Sequence, residues 1–434
     1  MSTPSAVSSA PSHAKGSYVL SIAIIGVLFF IFGFVTWLNG TLIPFLKLAC
    51  DLHSDSQALL VTFAFYMAYF CLAIPSSFIL NKTGFKNGMS LGLAVMAVGA
   101  LLFVPAASAR SFGLFLTGLF VQGMGLALLQ TASNPYISVI GPIESAASRI
   151  SIMGICNKIA GALSPLILGA IVLKGASEVE ARIAAAASGA ERVQLLQELS
   201  QRVIQPYVIM AAVLFLLALM IRFSPLPEID TNGADPAGSA AGAPKGRTSI
   251  LQFPHLLLGV LCLFVYVGVE VMAGDVIGPY ARSLGMSLNE TKSLTSYTLW
   301  SMVVGYTIGI FTIPRFIRQE TALKLSALTG ILFAFGAFVT GGRTSITFIA
   351  LLGLANSLMW PAIFPMAIKG LGRFTKIGSA LLIMGIAGGA ILPQIYGQLA
   401  HAISPQSAFF WCTLPCYLYI LYYAIRGHRA GLPA

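Results

Sequence analysis

Twelve long runs of apolar residues fill this chain and decide what it can fold into. A helix needs about 20 residues to cross the hydrocarbon core of a bilayer, and most of the runs have that length. Within lipid, only a helix or a closed barrel pairs every backbone N–H and C=O group. The runs are continuous rather than alternating, so helices are predicted. The runs are Ser17–Phe45, Ser56–Leu80, Met89–Ala107, Phe112–Ile140, Ser145–Leu173, Pro206–Phe223, Pro254–Tyr280, Ser293–Ile313, Leu325–Thr340, Ser345–Ile368, Ile377–Ala400 and Ser407–Ala424.

Charged residues are scarce and lie mostly between the runs. They make up 9% of the chain, against about 25% in soluble domains. The net charge of +11 would suit a nucleic-acid partner, but the Lys and Arg residues sit in short loops, where their distribution reports orientation. With the N-terminus in the cytoplasm, 15 of the 25 face inwards, 9 face outwards and Lys158 lies within a run. We therefore predict an all-α, multi-pass protein of a bacterial inner membrane, with both termini cytoplasmic and no nucleic-acid partner.

The midpoint of the chain looks like a linker between two copies of one unit. Pro225–Ser249 is rich in Gly, Pro, Ala and Ser, which is typical of a flexible linker, and six runs lie on each side of it. This arrangement suggests an internal repeat. We expect two pseudo-symmetric six-helix halves at 17–224 and 250–426, a linker at 225–249, a disordered tail at 1–16 and a second tail at 427–434. Three local matches support the repeat: Gly40–Pro44 with Asp275–Pro279, Gln130–Pro135 with Asn356–Pro361, and Gly161–Gly169 with Gly389–Gly397.

One loop is long enough to fold by itself. Ser177–Arg202 mixes acidic and basic residues with Ala, Leu and Val. This pattern predicts an amphipathic helix on the outer surface. A solvated surface helix is a much better interpretation of it than a binding site.

Three motifs within the runs resemble one transporter family. They are FVTWLNGTLIP in the first run (Phe34–Pro44), GLALLQTASNPYISVIGP in the fourth (Gly125–Pro142) and NSLMWPAIFPMAIKGLG in the tenth (Asn356–Gly372). They resemble the fucose–hexose symporter family of the major facilitator superfamily, especially its glucose/galactose and N-acetylglucosamine branch. The resemblance covers nearly the whole chain apart from the tail, the linker and the outer loop. It implies twelve helices and the transport of a sugar.

The departures from that family concern the coupled cation. Family members that couple fucose to protons carry an Asp in helix one and a Glu in helix four. By local alignment these positions are Gly40 and Gln130 here. An Asn of helix five, which binds sugar in those members, is retained as Asn157. The resemblance therefore implies sugar transport and puts the coupling group in doubt.

Neutral amides within the runs are candidate sugar ligands. Each amide both donates and accepts hydrogen bonds, so it matches a hydroxyl without a charge to desolvate. Gln130 and Asn134 are four residues apart and share a helix face, and Trp rings could stack on a pyranose. Hydrogen bonding between helices explains the amides nearly as well, and packing or an interfacial belt explains the Trp residues about equally well. The candidate substrate-binding residues are Trp37, Asn39, Gln130, Asn134, Asn157, Asn356, Trp360 and Gln394.

Two acids lie within the runs and one base lies near the middle of a run, and these three residues are candidates for cation coupling. They are Glu270, Asp275 and Lys158. A charge near the bilayer centre costs about 2.5–3.5 kcal/mol on insertion scales, so such groups face a cavity or a partner. Glu270 lies deeper than Asp275 and is the better candidate for binding a coupled cation, although a buried ion pair is the structural alternative. Lys158 either pairs with Glu270 or occupies the position of a coupling cation.

We therefore expect a secondary transporter that imports a neutral hexose-type sugar by alternating access. Glucose, galactose, mannose and N-acetylglucosamine all fit, with proton symport favoured over sodium symport or uniport. The rival class is an integral membrane enzyme, but the five His lie in tails, loops or ends of runs, and the six Cys show no metal spacing. No catalytic residue, metal or cofactor is predicted. An ATP-driven pump lacks its phosphate-binding loop, and the duplicated halves favour rocking over a fixed pore.

Overall fold

The computed structural model of the chain describes residues 12–139, 146–186, 188–226, 249–313, 316–371 and 374–432. These residues form a bundle of helices. In chain order the α-helices are α1 Ser12–Thr36, α2 Asn39–Ala49, α3 Asp55–Ala58, α4 Leu60–Leu101, α5 Phe103–Ser108, α6 Phe112–Val139, α7 Ala146–Val172, α8 Ala176–Ala185, α9 Gly189–Gln201, α10 Ile204–Phe223, α11 Pro254–Gly274, α12 Ile277–Ser283, α13 Leu288–Thr291, α14 Leu294–Thr312, α15 Gln319–Val339, α16 Gly342–Asn356, α17 Met359–Ile368, α18 Thr375–Met384, α19 Gly388–Ala402 and α20 Pro405–Ile425.

Eleven helical segments among the described residues are long and apolar enough to cross a membrane. One of them, Asp55–Ser108, has 54 residues, more than twice what one crossing needs. Within this segment Gly84 has φ 76° and ψ 172°, a conformation open mainly to glycine, and it separates the second span from the third. The twelve-helix bundle and its two pseudo-symmetric halves, as predicted from the sequence, are confirmed.

Several spans are broken in the middle of the bundle. In span one, α1 ends at Thr36 and α2 begins at Asn39, and in span seven α11 ends at Gly274 and α12 begins at Ile277. After the break in span one, the N–H groups of Thr41 and Leu42 donate to the Leu38 carbonyl oxygen, whereas the N–H of Gly40 faces the Asp275 carboxyl group of the other half. Such backbone is tolerated at membrane depth only where protein buries it or where it lines a cavity. The breaks therefore place polar backbone groups between the two halves.

Both predicted tails differ from expectation where the structure describes them. Helix α1 begins at Ser12, inside the tail predicted at 1–16. At the other end, Gly427–Arg429 forms a short 3-10 helix, and His428 is buried with its ring nitrogen Nδ1 3.0 Å from the carbonyl oxygen of Tyr423. The start of the tail predicted at 427–434 is therefore packed against α20. Residues 1–11, and residues 227–248 of the predicted linker, lie outside the described residues.

The predicted outer helix is two helices rather than one. Helix α8 ends at Ala185 and α9 begins at Gly189. Ser188 caps α9, because its hydroxyl accepts a hydrogen bond of 3.2 Å from the amide of Glu191. A Ser followed three residues later by Glu is a helix-start signal, and it marks this second beginning.

The two halves meet at the end of the bundle that holds α8, α9 and α13, which we call the predicted outer end. Arg282 of α12 forms an ion pair with Glu180 of α8. The backbone N–H of Asn289 donates a hydrogen bond of 3.3 Å to the Ser177 hydroxyl. Nearer the middle, the Thr295 side chain lies where a Cβ on Gly40 would stand. These contacts join the first six spans to the last six and close this end.

The topology can be tested by cysteine labelling. In a variant without native cysteines, a cysteine at Gly238 in the predicted linker is expected to stay unmodified when intact cells meet an impermeant thiol reagent. The physical reason is the excess of Lys and Arg in the loops assigned to the cytoplasm. Ala190, exposed on α9 at the predicted outer end, is the matched control, since a cysteine there should react. The reverse pattern would invert the orientation.

Candidate functional site

A cavity of about 130 Å³ lies between the first six spans and the last six. A water needs roughly 10–15 Å³ of such volume, so the space holds several waters or a compact solute. Helices α1, α4, α6 and α7 form one wall, and α11, α14 and α17 form the other. The lining residues are Phe29, Phe32, Thr36, Trp37, Tyr66, Tyr69, Gln130, Asn134, Gly154, Asn157, Lys158, Tyr266, Val267, Glu270, Val271, Tyr306, Trp360, Pro361 and Ile386.

Two of the lining amides are held in place by hydrogen bonds to the first half. Gln130 Nε2 donates to the Tyr69 hydroxyl at 2.9 Å. Asn157 Nδ2 donates to the carbonyl oxygen of Phe29 at 3.3 Å. A carboxamide has two donor hydrogens and one oxygen with two lone pairs. Each side chain is thus oriented by one bond and keeps capacity to bind a hydroxyl.

Trp37 occupies the break in span one and packs against both halves. Its side chain is buried, and a Cβ on Gly161 of α7 or on Gly274 of α11 would overlap its ring. Both glycines therefore make room for the indole. The Lys158 ammonium lies 4.5 Å from the ring centroid, within the range of a cation–π interaction. This contact fixes the Lys158 head group over the aromatic face.

A buried ion pair joins the two halves at the cavity. Lys158 Nζ of α7 lies 2.9 Å from Glu270 Oε1 of α11, and each residue is only 8% exposed. The Tyr266 hydroxyl, one helical turn before Glu270, faces the same carboxylate. The two charges cancel, so together they add no net charge to the cavity. Of the two alternatives for Lys158, the structure therefore shows the pairing with Glu270.

Asp275 lies next to the cavity without lining it. The residue is fully buried in the break between α11 and α12. The Tyr66 hydroxyl donates a long hydrogen bond of 3.5 Å to its Oδ2, and the amide of Gly40, in the first turn of α2, faces its carboxyl group. Among the described residues, Oδ1 has no hydrogen-bond partner. Asp275 is thus held by neutral groups of the opposite half.

The sequence matches a family model over most of its length. Residues 25–393 match the model of the Major Facilitator Superfamily. The chain belongs to the major facilitator superfamily. This assignment agrees with the twelve helices, the two halves and the central cavity of the structure.

Curated relatives narrow the position of this chain within the superfamily. A protein named "Glucose/galactose transporter" from Brucella abortus is 33% identical over 427 residues, covering 97% of this chain and 98% of the relative. The "L-fucose-proton symporter" of Escherichia coli K12 is 30% identical over 390 residues, covering 89% and 88%. The predicted resemblance is confirmed, and these relatives are transporters rather than enzymes.

A solved superfamily structure shows the same fold. The crystal structure of the transporter FucP in an outward conformation superimposes with a TM-score of 0.71 at 28% identity, covering 94% of this chain and 98% of that one. The match extends through both halves. The order and packing of the spans in this chain are therefore those of a known transporter of the superfamily.

Most of the candidate residues named from the sequence line the central cavity of this chain, and some do not. Trp37, Gln130, Asn134, Asn157 and Trp360 line it, as do Lys158 and Glu270. The remaining candidate ligands, Asn39, Asn356 and Gln394, are absent from the lining among the described residues.

Asn356, a candidate sugar ligand from the sequence, does not line the cavity in the part of the chain that the structure describes. The residue is fully buried, and its Oδ1 accepts a hydrogen bond of 2.9 Å from the Tyr417 hydroxyl. Asn39 is also fully buried, at the start of α2. Interhelical hydrogen bonding therefore accounts for Asn356.

Sequence reasoning missed the aromatic walls. Tyr66 and Tyr69 of α4, Tyr266 of α11 and Tyr306 of α14 line the cavity, as do Phe29 and Phe32 of α1. These tyrosines lie in the middle of spans, away from the interfacial belts where Tyr usually concentrates. That position in the sequence could have indicated that they line a cavity. Each hydroxyl needs a polar partner inside the membrane, and a cavity supplies one.

Proposed function

We propose that this chain imports a neutral hexose-type sugar across a bacterial inner membrane by alternating access, together with a proton. The sugar lies in the central cavity, between Gln130, Asn134 and Asn157 on one side and Trp360 on the other. Glucose, galactose, mannose and N-acetylglucosamine are the members of this substrate class to test first.

The observation that carries the proposal is the chemistry of the cavity wall. Its amides match hydroxyl groups, its rings match the apolar face of a pyranose, and its two charges neutralise each other across 2.9 Å. A charged substrate would need an unpaired counter-charge in the wall, because a buried charge is costly without one. The wall therefore suits a polar, uncharged ring.

The names of the relatives support both parts of the proposal. One is named for glucose and galactose, and another for L-fucose and a proton. A single carboxyl group can take up a proton, whereas a sodium ion needs several oxygen ligands. Proton symport is accordingly placed before sodium symport and uniport.

The transport movement follows from the two halves. Residues 17–224 and 250–426 would rock as units about the cavity, with 225–249 as their cytoplasmic connection. The predicted outer end is closed in this structure by Arg282–Glu180 and by the contact of Asn289 with Ser177. Opening these contacts would give the cavity access to the outside.

Proteoliposomes provide the test of function. Purified protein loaded with unlabelled sugar inside is expected to take up labelled sugar from outside by counterflow, first with glucose and galactose. Imposed proton and sodium gradients, applied separately, identify the coupled cation. No counterflow with any hexose would remove the proposed function, and accumulation with the sodium gradient alone would replace the proton.

The amide side chains that line the cavity are expected to contribute to sugar binding. Gln130→Ala and Asn157→Ala are each expected to weaken sugar binding by about 1–3 kcal/mol, roughly 5- to 150-fold in Kd, because a hydroxyl loses its partner in a buried site. Binding to purified protein, with the thermal midpoint recorded in parallel, is the measurement. Gln394→Ala, an amide outside the cavity, is the matched control and should bind like wild type. Unchanged affinity in both cavity variants excludes them as ligands.

A further inference from the structure

Asp275 and Glu270 are both buried acids, but their surroundings differ in kind. Glu270 is bound by the Lys158 ammonium at 2.9 Å. None of the ion pairs between described residues includes Asp275. Its neighbours are the Tyr66 hydroxyl and the Gly40 amide, which are neutral. Glu270 thus has a fixed counter-charge and Asp275 has none.

We propose that Asp275 is the group that carries the coupled proton, and that Lys158 and Glu270 are a fixed, neutral pair. This inference rests on the proposed function and deepens it. It also reverses the order of the two acids expected from sequence, where Glu270 was preferred for its depth. Depth in the membrane is not sufficient for a carboxylate to carry a proton. Where an ammonium group already neutralises the carboxylate, as Lys158 does for Glu270, binding a proton is not needed to remove its charge.

Burial in the closed structure favours the neutral form of Asp275. The residue is 0% exposed, and an ionised carboxylate without a counter-charge is strongly disfavoured away from water. The Tyr66 hydroxyl and the Gly40 amide both donate to the carboxyl group, and such donors offset part of the cost of an ionised carboxylate, but as neutral groups they do not replace a counter-charge. A protonated Asp275 therefore favours the closed form of the predicted outer end, and the closed form in turn favours the protonated carboxyl group.

The location of Asp275 links that proton to the opening of the cavity. Asp275 belongs to the second half, while Tyr66 of α4 and Gly40 of α2 belong to the first. Separation of the halves at the predicted outer end would remove both contacts and admit water. The carboxylate then takes a proton from hydronium in the external water, and when the cavity opens to the cytoplasm its O–H bond breaks and the proton passes to cytoplasmic water.

Tyr66 connects the proton site to the sugar site. Its ring lines the cavity, and its hydroxyl donates to Asp275 Oδ2. A sugar that contacts this ring therefore acts on the same side chain that holds the carboxyl group. The other charged or titratable groups nearby are Glu270, Lys158 and Tyr69, and the first two neutralise each other.

The test is Asp275→Asn, which keeps the size of the side chain and removes the exchangeable proton. Wild-type proteoliposomes are expected to take up protons when sugar is added, and to accumulate sugar under an inward proton gradient. In Asp275→Asn both signals should fall to background while labelled sugar still exchanges by counterflow. The pH dependence of sugar binding should also flatten in the variant. Asp275→Glu should restore proton uptake.

Each other result has a defined meaning. Wild-type proton uptake and accumulation in Asp275→Asn overturn the inference and leave the proposed sugar transport intact. Loss of counterflow together with proton uptake, not restored by Asp275→Glu, assigns Asp275 a structural role and also overturns it. Counterflow without any proton uptake in wild type makes the protein a uniporter and removes the coupled proton. Absence of wild-type counterflow removes the proposed function itself.

Discussion

Replacing Lys158 with methionine is expected to lower the free energy of unfolding by about 3–5 kcal/mol, because it leaves the Glu270 carboxylate buried without its counter-charge. The pair is well suited to show this effect, since both residues are 8% exposed and the atoms are 2.9 Å apart. Removing both charges is a different case. Replacement of a buried pair by apolar side chains of similar volume is often neutral or stabilising. Lys158→Met with Glu270→Met should therefore recover most of the loss.

Thermal unfolding in detergent with a thiol-reactive dye measures this. Cys262 and Cys416 are buried and react only when the protein unfolds, whereas the exposed Cys71 contributes a constant baseline. Arg343→Met is the matched control, because it removes the base of a pair in which Arg343 is 84% exposed, and exposed pairs contribute about 0–1 kcal/mol. Equal midpoints for Lys158→Met and Arg343→Met would show that the buried pair is not stabilising the native state.

The second large effect is expected at Gly33, where two helices touch through their backbones. A Cβ on Gly33 of α1 would overlap the carbonyl group of Asn157 on α7. Backbone cannot rotate away as a side chain can, so Gly33→Ala must separate the helices. Overpacking of this kind costs about 1–3 kcal/mol. It also shifts Asn157, so sugar binding should weaken along with stability.

Gly26 provides the matched control on the same helix. A Cβ there would meet only the Met153 side chain, at 3.7 Å, which is an ordinary contact. Alanine is favoured over glycine within a helix by roughly 0.8–1.0 kcal/mol, so Gly26→Ala should be neutral or slightly stabilising. Thermal midpoints and sugar affinity of both variants decide the matter. If Gly33→Ala behaves like Gly26→Ala, the close packing of α1 on α7 is not required.

The bundle could be predicted from the sequence because membrane spans are a matter of length and hydropathy. The breaks within spans were harder. A glycine, Gly274, stands at the break in span seven, but nothing in the residue types marks the end of α1 at Thr36 or of α16 at Asn356. Such breaks depend on what lies beside the helix, since neighbouring groups must take over the lost hydrogen bonds.

The sequence predicted which types of residue form the candidate site, but only some of the individual residues that do so. Gln130 and Asn134 were grouped correctly on one face, because a four-residue spacing fixes that relation within a helix. Asn356 could not be assigned, because its direction depends on Tyr417 of another helix. The sequence also left open whether Lys158 pairs with Glu270 or occupies the position of a coupling cation, for the same reason. Pairing with Lys158 is a tertiary contact, 112 residues apart in sequence.

The cancelled charges of Lys158 and Glu270 determine how membrane voltage would act on this protein. In the proposed cycle the loaded carrier holds a neutral sugar, a protonated Asp275 and a neutral pair, so its reorientation moves no net charge across the field. The empty carrier returns with an ionised Asp275 and moves one negative charge outwards. One elementary charge is worth about 2.3 kcal/mol per 100 mV across the full membrane. An inside-negative potential would therefore speed the return of the empty carrier and leave the sugar-carrying step unaffected.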